Sequence, residues 1–111
     1  MSPLLNRPLL LEALARVPDG AGGYGESWQS LGTLWAAVVP GAGRAAGSDA
    51  AGRFVQPLKI TVRAAPAGAV SRPLPGQRFR AGLRVFRILS VTEAAGDGRY
   101  LTCFAEEEGA A

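Results

Sequence analysis

Leu58-Lys59-Ile60-Thr61-Val62-Arg63 is the stretch on which the class of fold turns. Apolar and polar residues alternate strictly along it, and Ile60, Thr61 and Val62 are β-branched. That pattern suits a strand with one buried face and gives no continuous stripe to a helix. Downstream, a proline-rich connector over residues 65–76 leads into Gln77-Arg78-Phe79-Arg80, with a tight turn expected at Ala81-Gly82. Leu83–Val91 reads as a second long strand. Val85, Leu89 and Val91 fall on one of its faces, Phe86 and Ile88 on the other, so both faces are apolar. Asp97-Gly98 is a strong hairpin signal, and a last strand is expected over Arg99–Ala105. The triple glutamate at 106–108 reads as a solvated acidic tail reaching residue 111.

Upstream the reading is less uniform. Pro8–Val17, PLLLEALARV, is ambiguous: Leu, Ala and Glu favour helix by propensity, while its position before a glycine-rich turn favours a hairpin arm. The turn is Pro18-Asp19-Gly20-Ala21-Gly22-Gly23, and a second extended run follows at Leu31–Val39. Residues 41–52, GAGRAAGSDAAG, contain nothing bulky. Methyl groups there bury too little area to offset ~1–2 kcal/mol per residue of backbone ordering. This stretch is expected to be a mobile loop (about 41–53) or a marginal helix around Ala45–Ala51. The sum is a mainly β chain of five or six strands: a small antiparallel β-barrel or sandwich with one long Ala/Gly-rich loop.

A chain of 111 residues makes one domain, here taken as 1–111. Twenty of its hydrophobic residues are alanine, so the core is thin, and neighbouring subunits are expected to supply part of the burial. The net charge is +3, from eleven arginines and one lysine against nine acids. The arginines are spread out, so no basic patch is legible; a GC-rich gene and contacts to phosphate or carboxylate are both open readings. No apolar run approaches the ~20 residues of a membrane-spanning helix. The N-terminus lacks the basic segment of a signal peptide, so the chain is expected to be made and kept in the cytoplasm unless a particle carries it out.

Chemistry finds little footing. One cysteine and no histidine provide neither a disulfide nor a metal cluster, and Cys103, between Thr102 and Phe104, reads as a small buried hydrophobe. Gly20–Gly25 formally matches G-x-G-x-x-G, but the residues after it do not open a helix onto which a pyrophosphate could dock. Gly41-Ala42-Gly43-Arg44 follows an extended run, yet Gly47 and Gly52 break any helix behind it. No serine has a nucleophile context, and no pair of acids lies within an apolar segment. Neither a catalytic group, a cofactor site nor a metal site is expected. Trp28, Trp35 and Phe86 are the expected core or interface anchors. Trp35 is expected to be buried, with Trp35→Ala costing ~3–5 kcal/mol.

The order of elements resembles the phage head–tail joining family (head-closure, stopper and adaptor proteins). It is carried by Pro18-Asp19-Gly20-Ala21-Gly22-Gly23, Glu26-Ser27-Trp28, Leu34-Trp35-Ala36-Ala37-Val38-Val39-Pro40, Gly43-Arg44, Ile60-Thr61-Val62-Arg63 and the hairpin Arg78–Val91. Relatives commonly have an acid after the Gly-Arg, where this chain has Ala45, and a polar run where it has Gln56-Pro57. The resemblance covers about Leu9 to Glu107. It implies a homo-oligomeric ring, a hexamer in preference to a dodecamer, with a portal or adaptor ring on one side and a tail terminator on the other. It also implies double-stranded DNA in the channel, with Arg44 and Arg53 near phosphates. The chain would then reside at the head–tail interface of a virion or phage-like particle assembled in the bacterial cytoplasm. Its composition also fits a gene-transfer particle. A reading from a different class is a small β-barrel that binds single-stranded nucleic acid, with Trp28, Trp35, Phe79 and Phe86 as a stacking platform.

Overall fold

Strand β4 (Phe54–Arg63) contains the alternating stretch and sits between two neighbours in a computed structural model that describes residues 4–41, 47–48, 54–94 and 98–108. Leu58, Ile60 and Val62 are buried, whereas Arg63 is exposed and Lys59 and Thr61 are partly so. On one side β7 (Tyr100–Glu108) places Ala105, Cys103 and Leu101 opposite those three apolar residues. On the other side β2 (Tyr24–Pro40) places Val38 opposite Ile60 and Ala36 opposite Val62. One side of β4 is thus built for a core and the other for a wetter surface, as the period of two requires.

Every long neighbour in the sheet is antiparallel. β1 (Arg7–Pro18) pairs with β2 and β5 (Arg78–Ala81), and β6 (Arg84–Glu93) pairs with β5 and β7. The order is β2-β1-β5-β6-β7-β4, and β2 pairs with β4 again, so six strands close into one sheet with a single interior. The two-residue β3 (Gly47–Ser48) adds to β4 opposite Phe54 and Val55. Phe79 and Phe86 face each other across β5 and β6 and are fully buried together with Leu9, Leu11, Ile60 and Leu101. Burying one such side chain is worth roughly 1.5–3 kcal/mol. The mainly β, antiparallel expectation holds, and a closed single sheet takes the place of two facing layers.

One open local reading is settled and others are revised. Pro8–Val17 is strand throughout, because Leu9 and Leu11 are held in the interior by pairing on both sides of β1, and pairing overrides a helix propensity of a few tenths of a kcal/mol. Gly47–Ser48 pair as strand, which excludes helix there; residues 42–46 and 49–53 of the expected loop, with Arg44 and Arg53, lie outside the described residues. The acidic tail is not a tail at 106–108, since β7 continues to Glu108. On β6 the register against β7 shifts between Ile88 and Ser90. Leu89 is therefore an inserted residue and nearly half exposed, while Phe86, Ile88 and then Val91 face the core.

The β1–β2 hairpin reaches well beyond the closed sheet. β5 accompanies β1 only over Leu10–Glu12, and β4 accompanies β2 only over Ala36–Pro40. Past Glu12 the two strands run on as a two-stranded arm to the turn at Asp19–Gly23, six residues or ~20 Å. Asp19 shapes that turn: its Oδ1 accepts from the backbone N–H of Ala21 at 2.8 Å and of Gly23 at 3.1 Å. The long axis of 53 Å, against 35 and 22 Å, fits this projection. Where arm and body meet, β2 carries a bulge: Leu11 pairs with Gly32 but Glu12 with Ser30, leaving Leu31 unpaired. Gly32 has φ +120°, a conformation that side-chain-bearing residues rarely adopt.

Candidate functional site

Alternation along β1 separates the faces of the arm. Leu9 and Leu11 point into the core, so Glu12, Leu14, Arg16 and Pro18 continue the outer face of the sheet. Opposite them on β2 stand Ser30, Trp28, Glu26 and Tyr24. The other face bears Ala13, Ala15, Val17, Gly25, Ser27 and Gln29, mostly small. The outer face of the arm therefore carries both aromatics and most of the charge.

At the root of the arm three strands are tied together by one arginine. Arg78 on β5 donates from Nε to Glu12 Oε1 at 2.7 Å, and its guanidinium lies 4.0 Å from the centre of the Trp28 ring. Arg80 Nη1 stands 3.8 Å from the other Glu12 oxygen. Glu12 is 5% exposed, so its charge needs these partners. The planar guanidinium can pair and stack at once, which an ammonium cannot. Trp28 is thus an anchor by stacking, half-buried on the outside of the sheet. Toward the tip, Arg16 lies over the Tyr24 ring at 4.4 Å, and Tyr24 is 62% exposed.

Trp35 is not in the core of the chain. It is 57% exposed on the outer wall, because position 35 lies on the opposite face of β2 from the buried Ala36. It lines a shallow cleft of about 380 Å³ with Leu5, Thr33, Leu34 and Arg63. A second shallow cleft of about 410 Å³, beside it on the same β2–β4 wall, is lined among others by Leu4, Arg7, Val39, Lys59 and Thr61. Phe86 is the one expected anchor wholly in the core. Phe79 and Phe86 are inside, Trp28 lies under Arg78 and Trp35 is on a different stretch of wall, so the four aromatics form no common stacking platform.

Two ion pairs join β6 to β7 beside the buried Phe86. Arg84 grips Glu107 with two hydrogen bonds of 2.7 and 2.8 Å and lies 5.0 Å from the centre of the Phe86 ring. The Arg84 hydrogen bond holds the Glu107 carboxyl below its usual range, and Glu107 in turn raises the guanidinium. Glu106 meets Arg87 at 3.5 Å. Burial pushes the Cys103 thiol up to about 12, so it remains protonated and inert at neutral pH. Gly20–Gly25 simply joins β1 to β2, with no helix behind it. Glu12, Arg78 and Arg84 were missed as features of the sequence. The signal was there for Glu12 alone, as a lone acid in an apolar run, but its partners lie 66 residues away.

An open-edged arm, a tryptophan displayed on an outer wall and ion pairs between β6 and β7 are the outward features of a small, mainly β module. The chain belongs to the phage head completion protein family, whose model matches residues 1–108. It is also similar to a chain in a solved structure described as the virion of a native gene transfer agent particle. Identity is 50%, the TM-score is 0.82, and the match covers 99% of this chain and 100% of that one. Among curated protein sequences, none matches significantly.

Proposed function

We propose that this chain is a non-enzymatic connector of a tailed-phage-like or gene-transfer particle, forming a homo-oligomeric ring between the portal or its adaptor and the tail. The ring, hexameric in preference to dodecameric, closes the filled head and holds or passes double-stranded DNA. The observation that carries this reading is the full-length likeness to a chain of a gene transfer agent virion. The closed sheet supports it, since a rigid body with a projecting arm suits a subunit that must meet neighbours on several sides. Arg44 and Arg53 are proposed as a basic collar facing the channel, repeated once per subunit.

The test is a deletion of the gene in producing cells. Heads that package DNA but carry no tails, or lose their DNA to nuclease, are expected, with restoration by the wild-type gene. Tailed, DNA-retaining particles from the deletion strain would overturn the proposal. Replacing Arg44 and Arg53 together by glutamate is expected to leave tails attached and reduce nuclease-protected genomes. Unchanged retention would remove the two arginines from the mechanism.

A further inference from the structure

We infer that the arm of one copy seats on the β2–β4 outer wall of the next copy, making a head-to-tail contact that propagates around the ring. This rests on the ring reading proposed above and names the surfaces that build it.

The arm needs cover. Beyond Glu12 the outer edge of β1 faces no strand, and neither does the outer edge of β2 between Tyr24 and Trp35 among the described pairings. A two-stranded ribbon is marginal alone in water. Edges left exposed in free subunits are normally guarded by lysines, inward-pointing charges or short length. This arm has no lysine, is long, and displays Leu14, Val17 and Tyr24 at 48, 41 and 62% exposure.

The wall offers the complement. Leu4, Trp35 and Val39 are 74, 57 and 48% exposed there, beside the two shallow clefts. Charge selects the pairing. Past Glu12 the arm has Asp19 and Glu26 against Arg16, a net charge of −1, and Arg16 is already over Tyr24. The wall has Lys59 and Arg63, a net charge of +2, with Arg63 6.0 Å from the centre of the Tyr100 ring. Opposite charges at a rim steer encounter and set register, while the aromatic and aliphatic residues supply the burial. Because the arm and the wall are different surfaces, the contact is heterologous, and such contacts close into rings when the rotation allows. The bulge at Leu31 and the Arg78 clamp fix the angle at which the arm leaves the body, and therefore that rotation.

The test places p-benzoylphenylalanine at Tyr24 in the full chain and irradiates assembled rings, in solution or in purified particles. The expected product is a covalent dimer whose cross-linked peptide maps to residues 4–7, 33–41 or 58–63 of the second copy. A product on any other part of the second copy, or on a portal or tail protein, overturns the inference while leaving the ring intact. Charge exchange gives an independent reading. Glu26→Lys and Lys59→Glu are each expected to weaken ring formation about tenfold, a rim-pair effect near 1.4 kcal/mol. The double exchange is expected to recover most of that loss. Singles without effect, or a double as weak as the singles combined, overturn the inference. Wild-type chain that is monomeric both by light scattering and in particles overturns the ring reading itself, and the inference with it.

Discussion

The closed sheet and the arm are made from the same two strands, yet they obey different rules. Up to Glu12, β1 gains a second partner in β5 and its Leu9 and Leu11 are fully buried; beyond it, the same strand has one partner and its Leu14 and Val17 are exposed. In the body, residues are chosen for an interior that the chain supplies itself. In the arm, Leu14, Val17 and Tyr24 face outward and find no such interior within the chain. The difference shows that exposure of an apolar residue here depends on which partners its strand retains, not on its chemistry.

Substitutions can break this comparison at graded cost. The largest effect is expected in the body: Phe86→Ala should cost ~3–5 kcal/mol, because the closed sheet cannot collapse around the void. Equilibrium denaturation checks this, and a loss under ~1 kcal/mol would show that the interior is loosely packed. At the joint, Arg78→Ala should cost ~2–3 kcal/mol by leaving the buried Glu12 charge with only the distant Arg80. Arg78→Lys should recover part of that stability but not the stacking on Trp28, visible as changed tryptophan fluorescence. Gly32→Ala follows at ~1–2 kcal/mol, from φ +120° alone, since an added Cβ would meet nothing within 4 Å. It should also lower the fraction of subunits that enter rings.

A pH effect should be smaller and confined to the rim. Glu107 has its folded pKa depressed by Arg84, so its contribution to stability is fully present above the ordinary carboxylate value of ~4.3 and is lost as pH falls through the lowered pKa. Glu107→Gln should flatten that limb of the stability–pH curve and leave the neutral-pH fold unchanged. The smallest effect is expected from Trp35→Ala. With Trp35 57% exposed, the isolated chain should lose under ~1 kcal/mol, far below the ~3–5 expected of a buried tryptophan, while ring formation suffers. A large loss of chain stability would place Trp35 back among the structural residues.

How much of this was legible depends on the range over which each feature is decided. Strict alternation at 58–63 and the glycine turn at 18–23 are local and led to the observed strand and hairpin; β6 and β7 also pair as the Asp97-Gly98 signal expects, with Asp97 itself outside the described residues. Cys103 was readable as core because its neighbours form a strand pattern. Pro8–Val17 was not decidable, since a propensity of tenths of a kcal/mol gives way to pairing with strands ~20 and ~70 residues away. The outward orientation of Trp35 was lost for a related reason: the run Leu31–Val39 has no alternation that marks a buried face, and only pairing with β4, which buries Ala36, turns Trp35 outward.

The chain's own order of residues determined that it would be a β protein with hairpin connections, because turn chemistry and a period of two act over a few residues. Only the tertiary structure decided that the sheet closes, that Glu12, Trp28 and Arg78 meet at one joint, and that the arm continues alone beyond it. Those outcomes follow from strand register and closure, which couple residues far apart in sequence and are chosen by the interior as a whole.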